Sequence, residues 1–119
     1  MGFIMNLDLT KKNLSDVNYF LQHLDKKSNE RDFVIKNPLG SHALCAGLQD
    51  EMSVTIKGHV GYYCAGMNKN AHVTVEGNVG TGVAENMMSG TVHVKGNASQ
   101  SAGASGNGGT LIIDGDASV

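Results

Sequence analysis

The sequence is poor in aromatic residues, proline and runs of basic residues, and each shortage excludes a class of protein. Aromatic residues make up 5% of the 119 positions, so a core has to be built from Val, Ile, Leu, Ala and Met. A single proline excludes collagen and proline-rich linkers. Lys and Arg never run for more than two positions, and the net charge is −2. These features argue against nucleic acid as the main partner, because phosphate binding needs a basic stripe.

Cysteine and long apolar segments are also scarce. Two cysteines are too few for a dense disulfide framework. No apolar run approaches the roughly 20 residues of a membrane span, and the start MGFIMN lacks the apolar core of a signal peptide. The sequence therefore predicts a cytoplasmic protein.

What the sequence does contain is glycine, at 16 positions, and an internal repeat. The run VTIKGHVG begins at residue 54, and related runs begin at 73, 92 and 111, at a constant interval. Apolar and polar residues alternate in these runs, which predicts half-buried strands. Such strands bury their apolar face only by stacking. We therefore predict an all-β fold, a parallel β-helix that forms a single-stranded solenoid with about 19 residues per coil. Each coil should hold two or three short strands.

Residues one repeat apart should then form columns, and several columns make chemical sense. A charged column alternates in sign, which avoids like-charge neighbours: Lys57, Glu76, Lys95 and Asp114. A polar column at the turn suits Asn and Asp: His59, Asn78, Asn97 and Asp116. A third column suggests a small buried core, with Cys45 expected one coil earlier: Cys64, Val83 and Ala102.

The first part of the chain has a different character. Residues 4–10 predict a strand and residues 13–28 an amphipathic helix, with Asn13 or Ser15 as its N-cap. We predict that residues 1–30 cap the solenoid of residues 31–119, because an open sheet end invites edge pairing. At the other end the chain stops at Val119, soon after the fourth repeat. The expectation there is a truncated domain or a ladder edge covered by another chain, which could be a second copy.

The glycine-rich loop GNVGTG (77–82) raises the question of a phosphate site. Its glycines do not follow the order of a dinucleotide fingerprint, and no Lys-Ser or Lys-Thr pair follows as in a P-loop. We therefore interpret the glycines as coil corners: Gly58, Gly61, Gly77, Gly80, Gly96 and Gly115. The column of Gly61 and Gly80 continues with Ser99 and Ser118. No catalytic, cofactor-binding or metal-ligating set is predicted. The cysteines are interpreted as core residues, with a disulfide between them as the alternative.

Tyrosines and methionines outside the strand pattern form a candidate partner surface, since both residue types are enriched at interfaces. They are Tyr62, Tyr63, Met67, Met87 and Met88. The alternative is that some of them fill coil corners.

The runs GYYCAGMN, GVAENMMSG and VKGNASQ, within residues 58–118, resemble the GXGXG domain family. That family includes the carboxy-terminal β-helix domain of the large subunit of glutamate synthase. The resemblance is strongest to the glutamate-synthase-like subunits of N-methylglutamate synthases (methylamine–glutamate N-methyltransferases), and DLTKKNLSDVN and NPLGSHALCAGL extend it toward the start.

This resemblance implies a right-handed parallel β-helix in a multi-subunit enzyme, with a structural and docking role and no cofactor of its own. FMN and an iron–sulfur cluster are expected in a partner barrel subunit, alongside an amidotransferase-type subunit. Relatives run on for several more coils. Two other functions stay open at this point: an independent nucleotide- or anion-binding domain, and a self-assembling structural solenoid.

Overall fold

The computed structural model describes residues 4–25 and 27–117, so the expected end at Val119 and the small residue at Ser118 lie outside it. Six strands and one helix follow one another along this part of the chain. They are β1 (Ile4–Asp8), α1 (Leu14–Gln22), β2 (Asp32–Lys36), β3 (Ser53–Lys57), β4 (His72–Glu76), β5 (Thr91–Val94) and β6 (Thr110–Ile113). The strands pair in parallel and in chain order within one sheet. The predicted all-β solenoid is therefore confirmed.

The register shows the length of each coil. Val54 pairs with Val73, and Val73 with Val92, so these coils have the length of the sequence repeat. The coil before them runs from β2 to β3, and we call it the first coil. It is longer by two positions, because Phe33 pairs with Val54. The prediction of two or three strands per coil was wrong for the described residues. Each coil there has one strand, and Ala98–Ala117 forms an isolated bridge.

The strand side chains that point inward form the core. Ile56 and Val75 are completely buried, and the residues on either side of them in the sequence are polar, as the alternation predicts. Burial decreases in the last described coil, where Leu111 and Ile113 are only half-buried. Branched aliphatic side chains thus make up most of this core, and the aromatic ring of Phe33 in β2 is buried among them.

Helix α1 packs on this core through Val17 and Leu21, which are buried. Asn13 is its N-cap, and its side chain accepts a hydrogen bond from the backbone N–H of Ser15 at 2.7 Å. The helix ends at Gln22, shorter than the predicted 13–28.

Two amide side chains of α1 satisfy backbone groups of the first coil. Asn18 Oδ1 accepts from the N–H of Cys45 at 2.8 Å, and its Nδ2 donates to the carbonyl of Ala43 at 2.9 Å. Gln22 Nε2 donates to the carbonyl of Ala46 at 2.8 Å. In the next coil, the N–H of Ala65 bonds instead to a carbonyl of the coil before it. The helix therefore supplies the hydrogen-bond partners for this coil that, in later coils, come from the backbone of the preceding coil. Strand β1 belongs to the same sheet as β2, and the division into cap and solenoid stays a prediction.

Candidate functional site

The corner glycines stack directly on one another. The N–H of Gly96 donates to the carbonyl of Gly77 at 3.1 Å, and that of Gly115 donates to the carbonyl of Gly96 at 3.0 Å. A β-carbon on Gly96 would lie 2.5 Å from the carbonyl oxygen of Gly77, and one on Gly115 would lie 2.6 Å from that of Gly96. Glycine is required at these corners because the backbones of successive coils approach so closely.

Gly61 and Gly80 form a second column, in which the backbones of successive coils again approach closely. The N–H of Gly80 donates to the carbonyl of Gly61 at 3.1 Å, and a β-carbon on Gly80 would lie 2.8 Å from the carbonyl carbon of Gly61. Within the loop 77–82, further N–H groups bond to neighbouring coils. Those of Val79 and Gly82 donate to carbonyls at 2.9 and 3.0 Å. A phosphate-binding loop needs free N–H groups that converge on the anion, and here the N–H groups of Val79, Gly80 and Gly82 are already used between coils.

The predicted polar column is a continuous hydrogen-bonded ladder. The backbone N–H of Asn78 donates to His59 Nδ1 at 2.8 Å, and that of Asn97 donates to Asn78 Oδ1 at 2.8 Å. The N–H of Asp116 donates to Asn97 Oδ1 at 2.9 Å. Each side chain therefore holds the backbone of the coil that follows it, and His59 accepts through an unprotonated nitrogen.

The charged column alternates in sign as predicted, and among the described residues ion pairs connect its first three members. Glu76 lies 3.2 Å from Lys57 Nζ and 3.9 Å from Lys95 Nζ. Asp114 instead contacts His93 Nε2 at 2.9 Å. These side chains are exposed or, for His93, partly exposed, so each pair contributes about 1 kcal/mol or less.

The side of the coils that follows the glycine corners has an unusual backbone. We call residues 43–47, 63–67, 82–86 and 101–105 the alternating side, because the first, third and fifth residue of each segment has a positive φ. Nine of these twelve positions are not glycine, and their φ values lie between 54° and 61°. They are Ala43, Cys45, Tyr63, Ala65, Met67, Ala84, Asn86, Ser101 and Ser105. Such residues seldom adopt this conformation, so hydrogen bonds between coils have to maintain it.

This side also corrects the position of Cys45. The N–H groups of Ala65 and Ala84 donate to the carbonyls of Leu44 and Cys64, each at 2.9 Å, so Leu44 is the counterpart of Cys64. Cys45 is the counterpart of Ala65, and its predicted place in the column of Cys64 was wrong by one position. The extra length of the first coil accounts for the shift, because the uniform spacing of the repeat does not apply there.

Both cysteines are free thiols and are completely buried. Burial raises the pKa of Cys64 to about 12. Burial, and then the neighbouring Cys64, raise the pKa of Cys45 well above its usual range. A thiol that stays protonated is neither a nucleophile nor a metal ligand. The disulfide considered as the alternative is not present.

Tyr62 and Tyr63 form an aromatic cluster with one histidine. The rings of His42 and Tyr62 stack with centroids 3.6 Å apart and planes 9° apart. Tyr63 meets Tyr62 edge-on, with centroids 5.8 Å apart and planes 75° apart. His42 Nδ1 also accepts from the backbone N–H of Tyr62 at 3.0 Å. The sequence singles out His42 as a residue near the cysteines, but its contact with Tyr62 could not be predicted, because it lies one position further from Tyr62 than the repeat spacing.

The methionines of the candidate partner surface divide into two groups. Met67 and Met88 are each 52% exposed. Met87 is 3% exposed and belongs to the core, so its place on the surface was wrong. It fills the coil interior, as the alternative predicted, and its methyl carbon would lie 2.6 Å from a β-carbon on Gly109.

Two further features bear on the kind of site that residues 4–25 and 27–117 can form. No group of three or more His, Cys, Asp or Glu side chains there could hold a metal ion. No helix in the same residues has the length and apolar character needed to cross a bilayer.

The fold and the site together define the class of this protein as a parallel β-solenoid whose polar ladders and glycine columns connect its coils. The chain is similar to Protein GlxC of Rhizobium meliloti (strain 1021), with 48% identity over 57 residues. The match covers 48% of this chain and 25% of GlxC, so the chain spans only a part of that protein's length. No family model and no solved structure matches the chain.

Proposed function

We propose that the chain is a non-catalytic structural and docking element of a glutamate-synthase-like enzyme complex of the N-methylglutamate synthase type. FMN and an iron–sulfur cluster would belong to a partner subunit with a barrel fold, and the glutamine-type chemistry to an amidotransferase-like subunit. The resemblance of its sequence runs to the GXGXG family supports this proposal, as does the stacked β-solenoid that such a domain requires.

One observation carries the non-catalytic part of the proposal: the ladder residues are engaged between coils, and both thiols are buried. His59, Asn78 and Asn97 accept backbone hydrogen bonds from the next coil. The two cysteines are buried thiols whose raised pKa values keep them unreactive. Side chains used in this way do not converge on a reacting group, which catalysis would require.

The alternative of a nucleotide- or anion-binding domain has less support from the geometry. In the glycine-rich loop, the N–H groups of Val79, Gly80 and Gly82 already bond to neighbouring coils. An anion would have to break these bonds between coils to be bound. Phosphate should therefore leave the amide NMR signals of residues 77–82 unchanged.

Purification of the tagged chain from its native source tests the proposal. We expect it to co-purify with a subunit that shows flavin absorbance and with an amidotransferase-like subunit, both identified by mass spectrometry. The isolated chain should have no flavin and no activity on methylamine and glutamate. Turnover of these substrates by the isolated chain would refute the proposal.

A further inference from the structure

The aromatic cluster forms two walls at one corner of the surface. Tyr62 is held flat against His42, and Tyr63 stands nearly perpendicular to Tyr62. The two tyrosines remain 49% and 48% exposed. Because backing by His42 and the contact between the tyrosines restrain the rings, binding here would order few additional side chains.

A carboxylate lies beside the second wall. A β-carbon on Gly82 would lie 2.7 Å from Cδ1 of Tyr63 and 3.1 Å from Oε2 of Glu85, so ring and carboxylate flank the same point. The backbone of Glu85 is anchored on both sides, since its N–H donates to Gly82 at 3.2 Å and its carbonyl accepts from Met67 at 2.7 Å. The glycine at position 82 allows this arrangement, because a side chain there would separate the two groups.

The Glu85 carboxylate is half-buried and unpaired. Within residues 4–25 and 27–117, it takes part in none of the three ion pairs and in no side-chain hydrogen bond. Glu76, by comparison, has two lysines within 4 Å. A partly desolvated carboxylate favours a cationic partner, and nothing in the described chain supplies one.

We propose that Tyr62, Tyr63 and Glu85 form a docking site for an arginine side chain of a partner subunit. The site deepens the proposed docking function and rests on it. Guanidinium is planar and weakly hydrated, so it stacks on a tyrosine face while its N–H groups donate to a carboxylate. The two perpendicular rings and the adjacent carboxylate match both requirements. A lysine ammonium supplies the charge but has no planar face to stack, and a neutral planar side chain can stack but lacks the charge.

An NMR titration of the full chain with the capped peptide acetyl-Gly-Arg-Gly-amide tests this site. We expect shifts of the ring signals of Tyr62 and Tyr63 and of the side chain of Glu85, with millimolar affinity because one side chain contributes most of the contact. The matched peptide with citrulline in place of arginine keeps the shape and removes the charge. It should bind at least about threefold more weakly.

Two variants test the assigned groups. Glu85→Gln removes the charge and Tyr62→Leu removes one wall, and each should weaken binding of the arginine peptide about threefold or more. Glu76→Gln is the control, since it neutralises a carboxylate in the strand column and should leave the affinity unchanged. Thermal melts identify any variant that does not fold. Equal binding of the arginine and citrulline peptides, or equal affinities of the chain with and without Glu85→Gln, would overturn the site.

The result of the peptide titration can be distinguished from the result of the co-purification that tests the proposed function. Co-purification with a flavin subunit but no response to the peptide would retain the docking role and reject this site. Peptide binding without any co-purifying subunit would retain an arginine site and reject the complex.

Discussion

The strand side of each coil, formed by β3 to β6, and the alternating side both form hydrogen bonds to neighbouring coils, but with different backbone conformations. Both have to present backbone groups to the coils before and after. On the strand side, extended residues such as Val73 and Val75 do so while they bury branched side chains. On the alternating side, residues such as Ala65 and Ala84 do so with positive φ values, at a cost of about 1 kcal/mol each.

The difference shows where the constraints on sequence lie. The strand side needs apolar residues at every second position, and many branched side chains satisfy that need. The corners need glycine because a β-carbon would collide with the previous coil. The alternating side accepts Ala, Ser, Tyr and Met at strained positions, and two of these residues, Tyr63 and Met67, are exposed.

The largest expected effect is on the strand side. Ile56→Ala should lower the free energy of unfolding by about 2–5 kcal/mol, because Ile56 is completely buried and its removal leaves a cavity. Lys57→Ala is the matched control, since its side chain is 53% exposed and its ion pair contributes about 1 kcal/mol or less. Urea unfolding followed by circular dichroism measures both. Equal losses would contradict the assignment of the inward face.

The next effect is at the corners. Gly96→Ala should destabilise the fold by about 1–3 kcal/mol, because the new β-carbon would collide with the backbone of Gly77. Gly66→Ala is the control, since a β-carbon there would have ordinary contacts, the nearest at 3.4 Å. Thermal unfolding should separate the two variants clearly. A Gly96→Ala variant as stable as Gly66→Ala would mean that the corners do not stack as described.

A smaller effect of opposite sign is expected on the alternating side. Ala84 and Ala71 are both completely buried, but only Ala84 has a positive φ. Ala84→Gly should be neutral or stabilising, since glycine relieves the strain, whereas Ala71→Gly should cost about 1 kcal/mol. The difference between the two free energies of unfolding isolates the backbone term. Equal destabilisation would contradict the positive φ at Ala84.

The same regions differ in how much of their structure could be predicted from the sequence. The corner glycines and the ladder of His59, Asn78 and Asn97 follow from the constant spacing of the repeat, which holds for β3 onward. Cys45 was misplaced because the first coil is longer. The alternating side could not be predicted, since Tyr63 and Met67 are residues that disfavour positive φ, and only hydrogen bonds between coils hold them there.

The smallest effect concerns a turn before the solenoid becomes regular. Asn37 Nδ2 donates to Asp8 Oδ1 at 2.9 Å, and this bond, with those from Thr10, lowers the pKa of Asp8 from 3.8 to about 2. A lowered pKa means that the carboxylate stabilises the fold above about pH 4 and that this contribution is lost as the pH falls through about 2.

Asn37→Gly keeps the positive φ and removes the amide, so the pKa of Asp8 should rise part of the way toward 3.8. Asn70→Gly is the control, since Asn70 has a similar φ and contacts other residues. NMR titration of the Asp8 side chain measures both variants. An unchanged Asp8 pKa in Asn37→Gly would show that the amide is not the main cause.

The central claim is that the strand side builds the solenoid while the alternating side meets the partner. Hydrogen–deuterium exchange of the chain, isolated and within the complex purified from its native source, tests that claim most directly. We expect added protection in residues 62–67 and 82–86, with little change in β3 and β4. Added protection confined to β3 and β4, with residues 62–67 unchanged, would contradict the account.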